Sequence, residues 1–122
     1  MEVQTRPRPR KIDSAQAVEA FGALAQPTRL AAFRRLVEAG PDGLAAGVLA
    51  AELGTPHNTL SAHLSVLTRA GLIKSRREGR SMIYGVDFAG TQSLLRFLVA
   101  DCCKGRPELC APVASILAQT CC

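Results

Sequence analysis

Residues 44–86 constrain the fold more than any other part of this sequence. A helical pattern over residues 44–53 stops at Gly54, and a second helical pattern begins only two residues later, at Pro56. Thr55 is suited to cap the second helix, with Pro56 as its first residue. Because so short a turn holds two helices close together, the pattern predicts a helix-turn-helix unit.

The second helix of this unit is predicted over residues 56–70 and ends at Gly71. It carries an apolar stripe that is expected to point inward, formed by Leu60, Leu64 and Leu67. Residues 72–77 and 81–86 then have the pattern of two β-strands, with a turn at residues 78–79. The chain is therefore expected to form a basic β-hairpin directly after the second helix.

Further helices are predicted on both sides of this unit. Asp13 and Gln16 have the spacing of a capping box, which predicts a first helix with an apolar stripe of Val18, Phe21 and Leu24. Pro27 suits the first turn of the helix that follows it, in which apolar residues repeat at three- and four-residue steps: Leu30, Phe33, Leu36 and Val37. Residues 91–101 predict a fifth helix, and a short last helix is predicted over residues 107–119.

These elements predict a mostly α-helical fold with a small β-hairpin, in the order α-α-α-α-β-β-α. This order is that of a winged helix-turn-helix domain, here spanning residues 13–101. Residues 1–12 include alternating prolines and basic residues, and they are expected to form a disordered, solvated tail. Such a tail could also lie in a DNA minor groove. Residues 102–122 form a separate segment that contains every cysteine.

Charge and length narrow the classes of partner. The net charge is +5, and arginine, whose guanidinium matches phosphate and guanine edges, supplies 12 of the 15 basic residues. That excess alone fits solubility as well as polyanion binding. A chain of 122 residues with five aromatic side chains has a modest core, which favours a dimer. The sequence has no signal-peptide pattern and no membrane-length apolar run, so we expect a cytoplasmic protein with no membrane partner.

The outward face of the second helix of the unit has short side chains suited to close approach to base edges: His57, Asn58, Ser61, Ala62 and Ser65. Thr59 and Arg69 are better placed for phosphates. Three arginines surround the tip of the hairpin, where a wing can enter a narrow minor groove: Arg76, Arg77 and Arg80. Taken singly, each residue also fits an ordinary solvated surface, whereas together they predict an interface with double-stranded DNA. His63, beside the apolar face, is expected to pack or hydrogen-bond rather than bind a ligand.

Two groups of motifs resemble those of the ArsR/SmtB family of metal-responsive winged-helix repressors. One group comprises residues 51–54 (AELG), 60–64 (LSAHL) and 70–72 (AGL), and the other is residues 25–30 (AQPTRL). The resemblance covers about residues 15–100. It implies a homodimer formed by the first and fifth helices, a near-palindromic operator, and release of DNA when an inducer binds.

Two places where members of that family hold metal ions lack the necessary side chains here. One arsenic-sensing pattern has a cysteine pair at the start of the DNA-reading helix, which here is the helix predicted over residues 56–70. In this sequence that place, residues 54–57, is Gly-Thr-Pro-His. The fifth helix, which carries His, Asp and Glu in zinc-type sites, has only Asp101 and no histidine between residues 88 and 101. The candidate metal ligands that remain lie in the segment beyond the fifth helix.

All five cysteines lie in the last 21 residues: Cys102, Cys103, Cys110, Cys121 and Cys122. An odd number confined to one end does not fit a disulfide scaffold, and clustered thiols in a reducing compartment more often bind a soft metal or act in redox chemistry. The pattern Cys102-Cys103-x6-Cys110 resembles family members whose arsenic site follows the fifth helix. That resemblance implies As(III) or Sb(III) as the inducer, bound by three thiolates. Nearby Lys104 and Arg106 favour thiolates.

Several alternatives stay open. Cys121 and Cys122 could donate to a second site, capture the ion before its transfer, or form an inert terminal pair. The cluster could be a redox switch, although vicinal cysteines make strained disulfides, or the chain could be a metal carrier that retained the fold. A trivalent methylated arsenical needs two thiolates and could use Cys102 and Cys103 alone. No acid–base pair, phosphate loop or Ser/His/Asp arrangement predicts an enzyme, and no organic cofactor is expected.

Overall fold

The computed structural model describes residues 11–102 and the two isolated positions Glu108 and Pro112, both of which are helical and exposed. Residues 1–10 of the predicted basic tail lie outside the described residues. So do most of the predicted last helix and four of the cysteines, Cys103, Cys110, Cys121 and Cys122. Within the described part, the elements follow the predicted winged helix-turn-helix order, with one short strand added.

Helix α1 (Ser14–Leu24) begins with the predicted capping box. The amide of Gln16 donates to Oδ1 of Asp13 over 2.8 Å, and the amide of Asp13 donates to Oε1 of Gln16 over 3.0 Å. Ile12, which the sequence assigned to the tail, packs against the core just before this cap. One residue of the predicted tail is therefore in contact with the core.

The buried face of helix α1 consists of small residues, namely Ala17, Ala20 and Ala23. Short side chains let this helix lie close to the rest of the domain. The predicted apolar stripe lies beside that face, so Val18 and Phe21 are exposed and Leu24 is half-buried.

Helix α2 (Pro27–Ala39) has Pro27 in its first turn, as predicted, and the side chain of Gln26 caps it by accepting from the amide of Arg29 over 2.7 Å. Its apolar repeat divides, because Leu36 is fully buried whereas Leu30 and Val37 are exposed. A 3-10 turn, Gly40–Asp42, ends the helix.

Helices α3 (Ala46–Leu53) and α4 (His57–Arg69) form the predicted pair, with two differences at their starts. The predicted start of α3 at residue 44 is wrong, because Leu44–Ala45 forms a short strand, β1. The predicted cap of α4 by Thr55 is also wrong. The amide of Thr55 donates to the carbonyl of Ala50 over 3.1 Å, and its hydroxyl donates to that of Leu53 over 3.3 Å.

Thr55 therefore belongs to the C-terminal end of α3. This arrangement depends on Gly54, which lies at φ 60° in the left-handed region that ends many helices. Pro56 takes the N-cap position of α4, and His57 becomes the first residue of the helix.

The predicted hairpin is formed by β2 (Ile73–Glu78) and β3 (Ser81–Val86). The three strands form an antiparallel sheet in the order β1-β3-β2. Because Glu78 pairs with Ser81, the connecting residues are Gly79 and Arg80, and the predicted turn at residues 78–79 is one residue too early.

Helix α5 (Phe88–Arg96) begins three residues earlier than predicted, because the side chain of Asp87 caps it by accepting from the amide of Gly90 over 3.1 Å. A π-helical turn, Phe97–Cys102, continues the helix. The described helical segment after the wing therefore leads directly to Cys102.

The core is formed by residues of all five helices, of strands β2 and β3, and of the turn that precedes β2. Its largest fully buried side chains are Leu36, Leu49, Leu60, Leu64, Leu67, Leu72 and Ile73. The inward stripe predicted for α4 is thus confirmed. Burial of this stripe fixes which face of α4 is turned outward.

Candidate nucleic-acid interface

The outward face of helix α4 carries the short side chains that the sequence assigned to base reading. His57, Asn58, Ser61, Ala62 and Ser65 are all exposed. The helix contains no acidic residue along its 13 positions, so no carboxylate would repel a DNA phosphate there. A helix of this length is about 20 Å long, which suits the major groove.

Helix α4 is held firmly at its base. Leu60, Leu64 and Leu67 are at most 1% exposed, so they anchor the helix in the core. No described side chain caps the N-terminus of α4. The amides of its first turn are therefore open to acceptors outside the chain, such as phosphate oxygens.

A groove of about 270 Å³ brings the wing tip and the start of α4 together. His57 and Ser61 of α4 line one side, and Arg80, Met82 and Tyr84 line the other. The predicted reading helix and one predicted wing arginine therefore face a common space.

The three predicted wing arginines are exposed, but they do not lie on one face of the hairpin. Arg77 is paired with Met82, and directly paired residues share a face of an antiparallel sheet. Since Met82 lines the groove with His57, Arg77 leaves the sheet on the side of α4. Arg76 is paired with Ile83 and leaves the sheet on the opposite side.

Arg69 lies apart from the other predicted site residues. It lines a second groove, of about 170 Å³, together with Gln16 and Glu19 of α1 and Gly90 of α5. This groove is at the C-terminal end of α4, whereas the wing groove is at its N-terminal end. Thr59 is exposed in the first turn of α4.

Arg29, which the sequence placed in the motif of residues 25–30 without a role, makes several contacts in the structure. Its Nε donates to the carbonyl of Ala23 over 2.7 Å and its Nη2 donates to that of Gly22 over 3.4 Å, both at the end of α1. Its Nη1 lies 3.3 Å from Nδ1 of His63 in α4. The expected hydrogen-bonding role of His63 is thereby confirmed, and α1 is joined to the reading helix.

One signal in the sequence could have identified Arg29. A cation in the first turn of a helix is electrostatically unfavourable next to the positive end of the helix dipole. Arg29 is the third residue of α2, so its presence there indicates a tertiary partner.

Helices α2 and α3 are joined by an ion pair. Nε and Nη2 of Arg35 donate to the two carboxylate oxygens of Glu52 over 2.6 and 3.3 Å. The hydrogen bond to Glu52 is the main cause that raises the pKa of Arg35 above its ordinary value. The pair helps to fix the helix that precedes the turn into α4.

In the part of the chain that the structure describes, no three His, Cys, Asp or Glu side chains cluster as metal ligands would. Cys102 ends the described helical segment, and the other cysteines lie outside it. None of the described helices is long and apolar enough to cross a lipid bilayer.

Comparison with known proteins supports the assignment of a helix-turn-helix domain. Residues 24–76, which extend from the end of α1 into β2, match a family model described as a helix-turn-helix domain. An uncharacterised HTH-type transcriptional regulator of Methanocaldococcus jannaschii is 38% identical over 69 residues, which are 57% of this chain and 75% of that protein. The chain covers between 58% and 75% of the curated relatives that it matches.

Two solved structures share the fold. The homodimeric winged helix-turn-helix DNA-binding domain of a possible ArsR-family regulator from Mycobacterium bovis has a TM-score of 0.58 and 29% identity, covering 71% of this chain and 80% of that one. An ArsR-like transcriptional regulator from a Rhodococcus species has a TM-score of 0.64 and 25% identity, covering 87% of this chain and 93% of that one. This chain belongs to the HTH-type transcriptional regulators, which bind DNA through a helix-turn-helix domain, and the solved structures that it resembles include winged-helix regulators of the ArsR type.

Proposed function

We propose that this protein is a homodimeric transcriptional repressor that releases its operator when As(III) or Sb(III) binds Cys102, Cys103 and Cys110. The observation that carries its DNA-binding part is the groove where the acid-free face of α4 meets a wing arginine. The observation that supports its regulatory part is the position of Cys102 at the end of the helical segment that continues α5.

The mode of DNA binding follows from the exposed side chains. Asn58, Ser61 and Ser65 are short hydrogen-bonding groups on one face of α4, so they would contact base edges in the major groove. Ala62 would approach a thymine methyl group. Arg77 and Arg80 would reach the phosphates or the minor groove beside it. Thr59 and Arg69 would contact phosphates at the margins.

The proposed dimer rests on apolar side chains that the single chain leaves uncovered. Four of them lie on α1, on α5 and on the turn that continues α5, and their exposed fractions are Val18 68%, Phe21 37%, Leu95 55% and Leu98 38%. Exposed apolar faces of this kind are typical of protein interfaces. The M. bovis relative is a homodimer. A two-fold dimer would place its two α4 helices about one turn of DNA apart, ~34 Å.

The proposed inducer site rests on thiol chemistry and chain position. Soft, thiophilic ions select thiolates, and three sulfurs complete the pyramidal coordination of trivalent arsenic. Lys104 and Arg106 would favour the thiolate forms electrostatically. Gathering three sulfurs beyond α5 would shift that helix, and through the dimer face it would alter the separation of the reading helices.

A DNA-release experiment tests this function. An operator is selected from a random duplex library with the full chain, and binding is followed by fluorescence anisotropy while arsenite is added. We expect arsenite to weaken operator binding by roughly 5- to 150-fold, the usual range of allosteric coupling. Cys102→Ser and Cys110→Ser should abolish the response, whereas Cys121→Ser should keep it.

Other outcomes identify the alternatives. A normal arsenite response in Cys102→Ser or Cys110→Ser would disprove the assigned site. Release by peroxide but not by arsenite would favour a redox switch. Tight As(III) binding by a chain that selects no DNA would favour a metal carrier. A response of Cys110→Ser to methylarsenite alone would assign a two-thiolate arsenical.

A further inference from the structure

We propose that Arg76 is a positioning residue that braces the wing from behind, whereas Arg77 and Arg80 are the wing cations that contact DNA. The three arginines stand within five positions of one another and look equivalent in the sequence. The register of the hairpin and the contacts of Arg76 separate them. This inference rests on the proposed mode of DNA binding by α4 and the wing.

The first step is the direction in which each side chain leaves the sheet. Arg77, paired with Met82, shares the face that lines the groove with His57. Arg76, paired with Ile83, lies on the reverse face, where it lines a separate groove of about 220 Å³ with Pro41. A protein that docks α4 and the groove side of the wing on DNA turns Arg76 away from the nearest phosphates.

The second step is that the guanidinium of Arg76 is already engaged. Its Nε donates to Oε2 of Glu78 over 2.7 Å, and its Nη2 donates to the backbone carbonyl of Asp42 over 2.8 Å. Within the described residues, neither Arg77 nor Arg80 makes an ion pair. The charge of Arg76 is offset locally, while the other two charges remain available.

The third step is what the contact with Asp42 joins. Asp42 ends the 3-10 turn after α2, and Arg76 lies in β2 at the far edge of the sheet. The next residue, Gly43, lies at φ 72° and so close to β3 that a side-chain Cβ there would overlap the carbonyl oxygen of Tyr84. Arg76 therefore reaches across the back of the sheet to a backbone segment that is fixed in place. This contact limits the angle at which the wing can swing relative to α4.

Salt dependence distinguishes a DNA-contacting cation from a brace. Each phosphate neutralised by a protein cation contributes about 0.9 to the slope of log affinity against log salt concentration. A residue that only orients the wing changes affinity without removing a phosphate contact. Arg77→Ala and Arg80→Ala should therefore each make the salt dependence shallower by about 0.9, and Arg76→Ala should leave the slope unchanged.

The experiment uses the full chain and a fluorescein-labelled duplex of mixed sequence, about 25 base pairs long, titrated between about 50 and 200 mM KCl. Arg77→Ala is the matched control for Arg76→Ala, since both are exposed and adjacent in β2. We expect Arg76→Ala to weaken binding by roughly 2- to 5-fold at each salt concentration, with the wild-type slope. Arg76→Lys keeps the charge but loses the planar guanidinium that donates to two acceptors at once, so it should not fully restore affinity.

A measurement without DNA checks the brace by itself. Amide hydrogen exchange of the hairpin should be faster in Arg76→Ala than in the wild type, and unchanged in Arg77→Ala. A slope that falls as much in Arg76→Ala as in Arg77→Ala would overturn the inference, as would full rescue by Arg76→Lys. If the wild-type chain bound no duplex at any salt concentration, the proposed function itself would fail, and the exchange result would still report on the brace.

Discussion

Helices α1 and α4 both have apolar residues at helical spacing, but they place them differently. Helix α4 turns Leu60, Leu64 and Leu67 into the core and leaves small polar groups outside. Helix α1 packs through alanines and leaves Val18 and Phe21 exposed. Helix α4 is therefore fixed within its own chain, whereas the larger side chains of α1 remain available to another surface.

Truncation of the α4 stripe should have the largest effect. Leu64→Ala would leave a cavity in a fully buried position, and we expect the free energy of unfolding to fall by about 2–5 kcal/mol. Urea unfolding measures this change. Val48→Ala, at a position that is 47% exposed, is the control and should change stability by less than about 1 kcal/mol. Equal losses in the two variants would mean that α4 is not the anchored helix.

The next effect should appear in assembly rather than in the fold. Phe21→Ser removes a large side chain from the exposed face of α1, so we expect the dimer dissociation constant to rise by roughly 10- to 100-fold. Sedimentation equilibrium measures it, with circular dichroism to verify helix content. Val37→Ser, which changes an exposed apolar residue of α2, should have little effect. Unchanged dimerisation in Phe21→Ser would leave the exposed face of α1 without its proposed partner.

The link between the two helices should give a smaller effect. Arg29→Met removes the donors to Gly22 and Ala23 and the contact with His63, and we expect a loss of about 1–3 kcal/mol in unfolding free energy. Arg34→Met, at an exposed position of the same helix, should cost less than about 0.5 kcal/mol. If Arg29→Met were equally harmless, α1 and α4 would be joined by apolar packing alone.

The smallest effect concerns the start of α1. Asp13→Ala removes half of the capping box, which should cost about 1 kcal/mol in thermal or urea unfolding. Ser14→Ala, at the first residue of the same helix, is the control and should lie within about 0.5 kcal/mol of the wild type. A neutral Asp13→Ala would indicate that the alanine face alone orders the helix.

Much of the fold could be predicted because its signals are local. The capping box of α1, the first-turn proline of α2, the leucines of α4 and the two strands of the wing each depend on residues close in sequence. Strand β1 could not be predicted in this way, since its two residues are a strand only because they pair with Ile83 and Tyr84. The cap predicted at Thr55 was wrong because this residue could serve either the end of α3 or the start of α4, and its amide bonds to the end of α3.

The candidate site was predicted less completely. Exposure of the outward residues of α4 followed from its buried stripe. The contact of Arg29 with His63 joins residues that are 34 positions apart, and the bond from Arg76 to Asp42 spans the same separation. The acceptor of Arg76 is a backbone carbonyl, which every residue has, so no side-chain pattern could mark it.

Chemical-shift mapping of the full chain on titration with a duplex tests most directly that α4 and one side of the wing form the DNA interface. The largest amide shifts should occur between His57 and Ser65 and at Arg77 and Arg80, with small shifts at Val18, Phe21 and Arg76. Shifts concentrated on α1 and α5, with α4 unchanged, would contradict this assignment of the DNA-binding surface.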